Sequence, residues 1–247
     1  MASELPAPAR DWALFLDFDG TLVHLREHPD EVVADNHVKG LLQSLDEAFG
    51  GALAIVSGRS LDGLDRLLGP LQLPTAGIHG LERRGADGRV HRPADPTPAF
   101  EAARRALQNY AERHPGLLLE DKGNALALHF RRAPEEAAGA LERMAAECRQ
   151  LGEDFHVQHG KAVVELKPTA HHKGTVVEAF MAEPPFAGRR PVFLGDDVTD
   201  EDAFRTVNRL GGISVRVGDG AHTKARFRLA CVDTALAWLA GLPERLP

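Results

Sequence analysis

Residues 14–21 read LFLDFDGT, an apolar run of strand length that stops at two aspartates one residue apart. Few arrangements are open to such a run. A strand without polar alternation is buried on both faces, as parallel strands inside layered α/β sheets are. Open parallel sheets form their sites beyond the carboxyl ends of the strands, and this run delivers charge there. Asp17 and Asp19 have the same parity, so an extended chain turns both toward one pocket. The pair suits a metal-assisted reaction on an anion, with one carboxylate as nucleophile or ligand and the other handling protons.

The first ninety residues continue in the same rhythm. Val38, Leu41, Leu42, Leu45 and Phe49 recur at helical spacing, and 52–56 is a second strand ending at Ser57-Gly58-Arg59. Leu61, Leu64, Leu67 and Leu68 predict a helix that stops at Gly69-Pro70, and 75–78 a third strand. This βαβαβ order implies a parallel sheet. The proline-rich HRPADPTP at 91–98 then reads as a linker. Beyond it the pattern is αββαββ: a helix through Phe100, Ala103, Leu107 and Tyr110, strands at 117–120 and 125–131, a helix opened by Pro134, and a hairpin at 155–158 and 162–167 turning around His159-Gly160. The βα rhythm resumes with a helix at 176–181, a strand at 192–194 ending in Gly195-Asp196-Asp197, a strand at 213–217 and a closing helix at 235–239. The expected organisation is a discontinuous core, 1–95 and 170–247, interrupted by an α+β domain at 96–169.

The 247 residues and 43% hydrophobic content allow a sizeable core, and the net charge of −7 argues against a general nucleic-acid binder. Cys148 and Cys231 lie in apolar surroundings and read as buried thiols rather than a disulfide framework. The opening MASELPAPAR has no apolar signal core, and no stretch approaches the roughly 20 apolar residues of a membrane helix. A soluble cytoplasmic protein is expected; oligomeric state is not legible.

Three strand ends thus carry polar residues able to converge: Asp17 and Asp19, Ser57, and Asp196 with Asp197. Taken alone, Ser57 reads as a helix cap, and Asp200 as part of a capping box in Thr199-Asp200-Glu201-Asp202. Lys173 is harder to read so plainly, the bland alternative being a solvated basic turn. At a helix start its charge opposes the helix dipole by roughly 0.3–1 kcal/mol, a cost that a bound phosphate reverses. The neighbouring His171 and His172 read as surface residues rather than metal ligands. Two carboxylates about 4 Å apart repel by around 4 kcal/mol at an effective dielectric near 20. One lysine cannot offset several such pairs, whereas a divalent cation can, and all-oxygen donors favour Mg²⁺ over zinc.

DFDGT at 17–21, VSGR at 56–59, Lys173-Gly174 and GDDVTDED at 195–202 resemble, in order, the four motifs of the haloacid dehalogenase-like phosphatases. The insertion between the second and third resembles the larger, C2-type cap of that superfamily. The resemblance implies a Rossmannoid parallel-sheet core with an inserted α+β cap. Residues 77–82 (GIHGLE), 120–122 (EDK) and 164–168 (VELKP) further resemble the trehalose-6-phosphate phosphatases, over a span from about Trp12 to Leu239. The extension seen in some relatives is absent, so no fused synthase domain is expected.

That resemblance implies roles. Asp17 attacks phosphorus to form an aspartyl-phosphate, and Asp19 protonates the leaving oxygen and then deprotonates water. Mg²⁺ is held by Asp17, the Asp19 carbonyl and Asp196, with Asp200 beyond them, and with Asp197 orienting ligands or Lys173 or sharing the metal. Ser57 and Lys173 bind phosphoryl oxygens, helped by Gly20, Gly58 and Arg59. Thr21 either positions Asp19 or is a structural hydroxyl. In the cap, Glu120, Lys122 and Glu165 are implied hydroxyl ligands, with His79 and Glu82 near the phosphate or sugar, while His129 and Arg131 stand evenly between a sugar-facing role and an ordinary solvated face. The expected partner is a small sugar phosphate, with no nucleic acid and no membrane. The alternatives are a sucrose-phosphate or mannosylglycerate-phosphate phosphatase, a phosphomutase, or a non-catalytic sugar-phosphate sensor.

Overall fold

The computed structural model describes residues 5–26, 31–92, 95–160, 162–220 and 222–247. The first four residues and residues 93–94 of the proline-rich linker lie outside this set. Contacts divide the chain into two compact units, 1–92 with 172–247, and 93–171.

In chain order the elements are β1 (Trp12–Leu16), α1 (Asn36–Ala48), β2 (Leu53–Val56), α2 (Leu61–Leu68), β3 (Thr75–Gly77), β4 (Glu82–Arg84), β5 (Val90–His91), α3 (Pro98–Arg113), β6 (Leu118–Asp121), β7 (Leu126–His129), α4 (Ala137–Leu151), β8 (Phe155–Gly160), β9 (Val163–Pro168), α5 (Lys173–Met181), β10 (Arg190–Gly195), α6 (Glu201–Arg209), β11 (Ile213–Val217), β12 (Phe227–Leu229) and α7 (Val232–Ala240). The larger unit is built on an eight-stranded sheet ordered β12-β11-β10-β1-β2-β3-β4-β5. The six strands from β12 to β3 are mutually parallel, and β4 and β5 extend the sheet antiparallel.

Strand β1 explains the two faces. Leu14 and Leu16 join a core with Val38, Leu41, Leu42 and Leu45 of α1 and with Ala235 and Leu239 of α7. Ala13 and Phe15 point the other way, into Val176, Val177 and Phe180 of α5 and Ala203, Phe204 and Val207 of α6. Each fully buried Leu or Phe contributes about 1.5–3 kcal/mol, so every position of β1 is bound to the layered arrangement. Local signals fix the helix starts. The Asp35 carboxylate accepts from Val38 N at 2.9 Å, and Ser60 Oγ accepts from Gly63 N at 3.1 Å.

The smaller unit has a four-stranded antiparallel sheet, β6-β7-β9-β8. Helices α3 and α4 cover one face through Phe100, Leu107, Ala140 and Met144, against Leu126, Leu128, Val164 and Leu166. The register Glu120↔Ala127↔Glu165 sets those two acids in one row on the opposite face.

Several local expectations shift. Pro134 opens a short 3₁₀ turn, Pro134–Glu136, and α4 begins only at Ala137. The last hairpin does not turn at His159-Gly160: β8 runs through both, Gly160 pairs with Val163, and Ala162 has φ +61° (Lys161 lies outside the described residues). Cys231 is exposed rather than buried, because it precedes α7 in the cap position with its side chain beside Thr234; Cys148 is half-buried. No described helix is long and apolar enough to cross a membrane.

Candidate active site

Backbone pairing carries Asp17 past the end of β1. Leu16 stands opposite Leu194, and Asp17 N donates to Leu194 O at 2.9 Å, so Asp17 arrives beside the Gly195-Asp196 end of β10. Gly195 matters here, since a Cβ on it would lie 2.3 Å from Asp200 Cγ. Without a side chain there, the Asp200 carboxylate folds back under the strand end, where it also accepts from Asp197 N at 2.8 Å. Lys173, the first residue of α5, completes the group. Its Nζ donates to Asp17 Oδ1 and to Asp200 Oδ1, each at 2.6 Å. A Cβ on Gly174 would meet Thr206 Oγ1 at 2.6 Å, so the glycine lets α5 approach α6 closely enough to deliver that ammonium.

These charges are deeply buried, with Lys173 2% exposed, Asp17 4% and Asp200 0%. Carboxylate oxygens of Asp17, Asp196 and Asp200 lie within 4.8 Å of one another. Burial, then the Asp200 and Asp196 charges, hold Asp17 well above the usual carboxylate range against the pull of Lys173. Burial and Asp200 push Asp196 up to about 6. Burial also raises Asp200, against Lys173. Burial works against the Lys173 ammonium, but Asp17 and Asp200 outweigh it and raise its pKa above the lysine norm. Three carboxylates against one ammonium leave two negative charges when all are ionised. Asp196 Oδ1 is buried without a hydrogen-bond donor among the described residues. A hard dication fits this site on both counts, all-oxygen donors and an excess of two charges.

Gly20 keeps the approach open. Its φ is +79°, and a Cβ there would fall 2.2 Å from Asp196 Oδ2. Gly20→Ala is expected to cost about 1–3 kcal/mol through backbone strain and collision with Asp196. Urea unfolding checks this, and a loss below a few tenths of a kcal/mol contradicts it. Beside Gly20 and Asp196 opens a cavity of about 390 Å³, lined also by His24, Asp219 and Cys231.

The other expected residues take distinct places. Thr21 Oγ1 donates to Asp17 Oδ2 at 3.3 Å, so it addresses Asp17 and not Asp19. The Asp19 carboxylate is outside the acidic group and pairs with Arg59. Ser57 is buried at the end of β2, and its Oγ accepts from Arg59 N at 3.2 Å. Asp200 fills both roles: its Oδ2 accepts from Asp197 N in a capping box that pairs it with Asp197, one frame earlier than Thr199-Asp202, and it also belongs to the acidic group, while Asp197 is exposed. His79 is buried with φ +55°, its ring against Gly58, where a Cβ would meet Cε1 at 2.8 Å. Glu82 Oε2 accepts from Leu61 N at 2.8 Å, which makes it a cap of α2. His172 is a half-buried cap, its Nδ1 accepting from Gly174 N at 3.1 Å; no simple spacing rule flags histidine in that role. In the smaller unit, Lys122 Nζ bonds Glu165 at 2.8 Å and approaches Glu120 at 3.8 Å, and His129 bonds Glu120 at 2.9 Å.

Acidic strand ends around a buried lysine, on a parallel sheet ordered this way, define the haloacid dehalogenase-like fold. A haloacid dehalogenase-like hydrolase from Bacteroides thetaiotaomicron superposes with TM-score 0.67 at 13% identity, covering 95% of this chain and 98% of that one. The C-terminal domain of Candida albicans trehalose-6-phosphate phosphatase superposes with TM-score 0.82 at 23% identity, covering 94% and 92%. Sequence relatives narrow the class. A probable trehalose-phosphate phosphatase of Sinorhizobium fredii is 48% identical over 216 residues, 87% of this chain and 81% of that protein. The trehalose-6-phosphate phosphatase of Escherichia coli is 45% identical over 237 residues, 96% and 88%. Residues 15–233 match the family described as trehalose-phosphatase, and the chain belongs to that family of enzymes.

Proposed function

We propose that this protein hydrolyses trehalose 6-phosphate to trehalose and phosphate, with Mg²⁺, through a phosphorylated Asp17. The observation that carries the reading is the Asp17–Lys173–Asp200 chain with Asp196 beside it, in a member of this family. Lys173 fixes Asp17 Oδ1, and Oδ2 faces the Thr21 hydroxyl at the looser distance of 3.3 Å. An Asp17 oxygen attacks phosphorus as the bond from phosphorus to the sugar oxygen breaks, and Asp19 gives that oxygen its proton. Water then attacks the same phosphorus, Asp19 takes the proton back, and the bond to Asp17 breaks. Ser57, Lys173 and backbone groups of the Gly20 turn hold the phosphoryl oxygens. Asp17, Asp196 and Asp200 would hold the cation, with the Asp19 carbonyl as a further donor; the ion supplies charge neutralisation at the phosphoryl oxygens. The smaller unit is proposed as the sugar-recognition domain, with Glu120, Lys122 and Glu165 as hydroxyl ligands. Their charged side chains stand on the sheet face opposite the two helices, which supports that reading.

Phosphate release from trehalose 6-phosphate, sucrose 6-phosphate and glucose 6-phosphate tests the reading. The expected result is a clear preference for the first, lost on exhaustive chelation and restored by Mg²⁺. Equal or better turnover of sucrose 6-phosphate overturns the substrate, and full activity after chelation overturns the metal.

A further inference from the structure

Arg59 sits on the loop between β2 and α2, and its guanidinium grips Asp19 with two arms. Nε donates to Oδ2 at 2.6 Å and Nη2 to Oδ1 at 2.7 Å. A planar fork on a planar carboxylate fixes the direction of both oxygens, which a single ammonium cannot do. The pair is partly shielded, with the two side chains 18% and 28% exposed. Arg59 is itself held along its backbone. Its N–H donates to Ser57 Oγ at 3.2 Å, its carbonyl accepts from Ile78 N at 2.8 Å, and Leu61 N, two residues on, donates to Glu82 at 2.8 Å. The strand behind this loop ends in Gly77, where a Cβ would lie 2.8 Å from both Arg59 O and Leu61 N. The loop backbone from which Arg59 reaches Asp19 is therefore held in one place.

We propose that Arg59 is a positioning residue for Asp19, aiming the carboxylate that gives up and recovers the proton, rather than a ligand of the phosphoryl group. The inference rests on the proton-transfer role given to Asp19 above. Both oxygens of Asp19 accept from Arg59, so the carboxylate cannot swing between rotamers while the pair stands. Without it Asp19 keeps its carboxyl group but loses its aim, and a misplacement of about 1 Å costs on the order of 10²-fold in rate.

The test is a double-mutant cycle on trehalose 6-phosphate, with p-nitrophenyl phosphate as a second substrate. A sugar alkoxide needs a proton as it leaves, whereas p-nitrophenolate leaves as a stable anion. Arg59→Ala is expected to lower kcat on trehalose 6-phosphate by roughly 10–100-fold with KM nearly unchanged, and to lower kcat on p-nitrophenyl phosphate far less. Asp19→Asn should show the same split, and the double variant should be no slower than Asp19→Asn alone. Arg59→Lys, keeping the charge without the fork, should fall between native and alanine; it also serves where the alanine variant melts early. Losses that multiply in the double variant, or an equal loss on both substrates with raised KM, assign Arg59 to the phosphoryl group and overturn the proposal. An Asp19→Asn variant without the substrate split instead removes the proton-transfer role of Asp19, a separate failure visible before Arg59 is touched.

Discussion

Asp17→Asn is expected to lower turnover of trehalose 6-phosphate by roughly 10⁴–10⁶-fold while the molecule stays folded. The amide has the shape of the carboxylate but no nucleophilic oxygen. Its carbonyl can face the Lys173 ammonium in place of Oδ1, and its NH₂ can donate to the Thr21 hydroxyl in place of Oδ2. Lys173 also keeps Asp200 at 2.6 Å, so no buried charge is left alone. The substitution removes one of three crowded carboxylates, each pushed toward its neutral form by burial. Stability should therefore stay within about 1 kcal/mol of native or rise slightly. Single-turnover phosphate release and urea unfolding measure the two effects. Turnover above about a hundredth of native contradicts attack by Asp17, and collapse of the fold contradicts the charge account.

The layered sheet was legible because its evidence is local. The unbroken apolar run of β1, the 3.6-residue spacing of α1, and the acids that close β1 and β10 each follow from a few neighbouring residues. The αββαββ order of the smaller unit was legible for the same reason. The extension by β4, β5 and β12 was not. These strands have two or three residues each, too short for any period to show. At the site, sequence order brings out Asp17, Asp196 and Lys173 as motif residues, but it cannot assign partners across 156 positions of chain. Asp200 shows the gap most plainly. Thr-Asp-Glu-Asp before a helix has the form of a cap, and only the bare backbone of Gly195 lets that carboxylate reach the lysine. Glu82 shows a contact that its motif does not announce: within that stretch its carboxylate also caps α2.

Lys173→Met should produce the largest loss of stability of any single substitution in this group. Methionine matches the length of the lysine stem, so the packing of α5 is nearly kept and the charge alone is removed. What remains is Asp17, Asp196 and Asp200, their oxygens within 4.8 Å of one another and two of the three almost wholly buried, with no ammonium between them. Removing one partner of a buried ion pair typically costs about 3–5 kcal/mol, because the remaining charge has neither water nor counter-ion. Here one lysine serves two buried carboxylates, so the upper end of that range is expected in metal-free buffer. A cation bound to the folded state adds stability by mass action, about 2.7 kcal/mol when its concentration is a hundred times the dissociation constant. Mg²⁺ should therefore raise the unfolding midpoint of Lys173→Met by more than it raises that of the native protein, since more negative charge is left for it to neutralise. Urea titrations of both proteins, with chelator and with Mg²⁺, measure the four values. A loss under about 1 kcal/mol in chelator means the three acids are already neutral without the lysine, against the ionised cluster assumed here. Equal responses to Mg²⁺ mean that the lysine and the cation do not share the same charges.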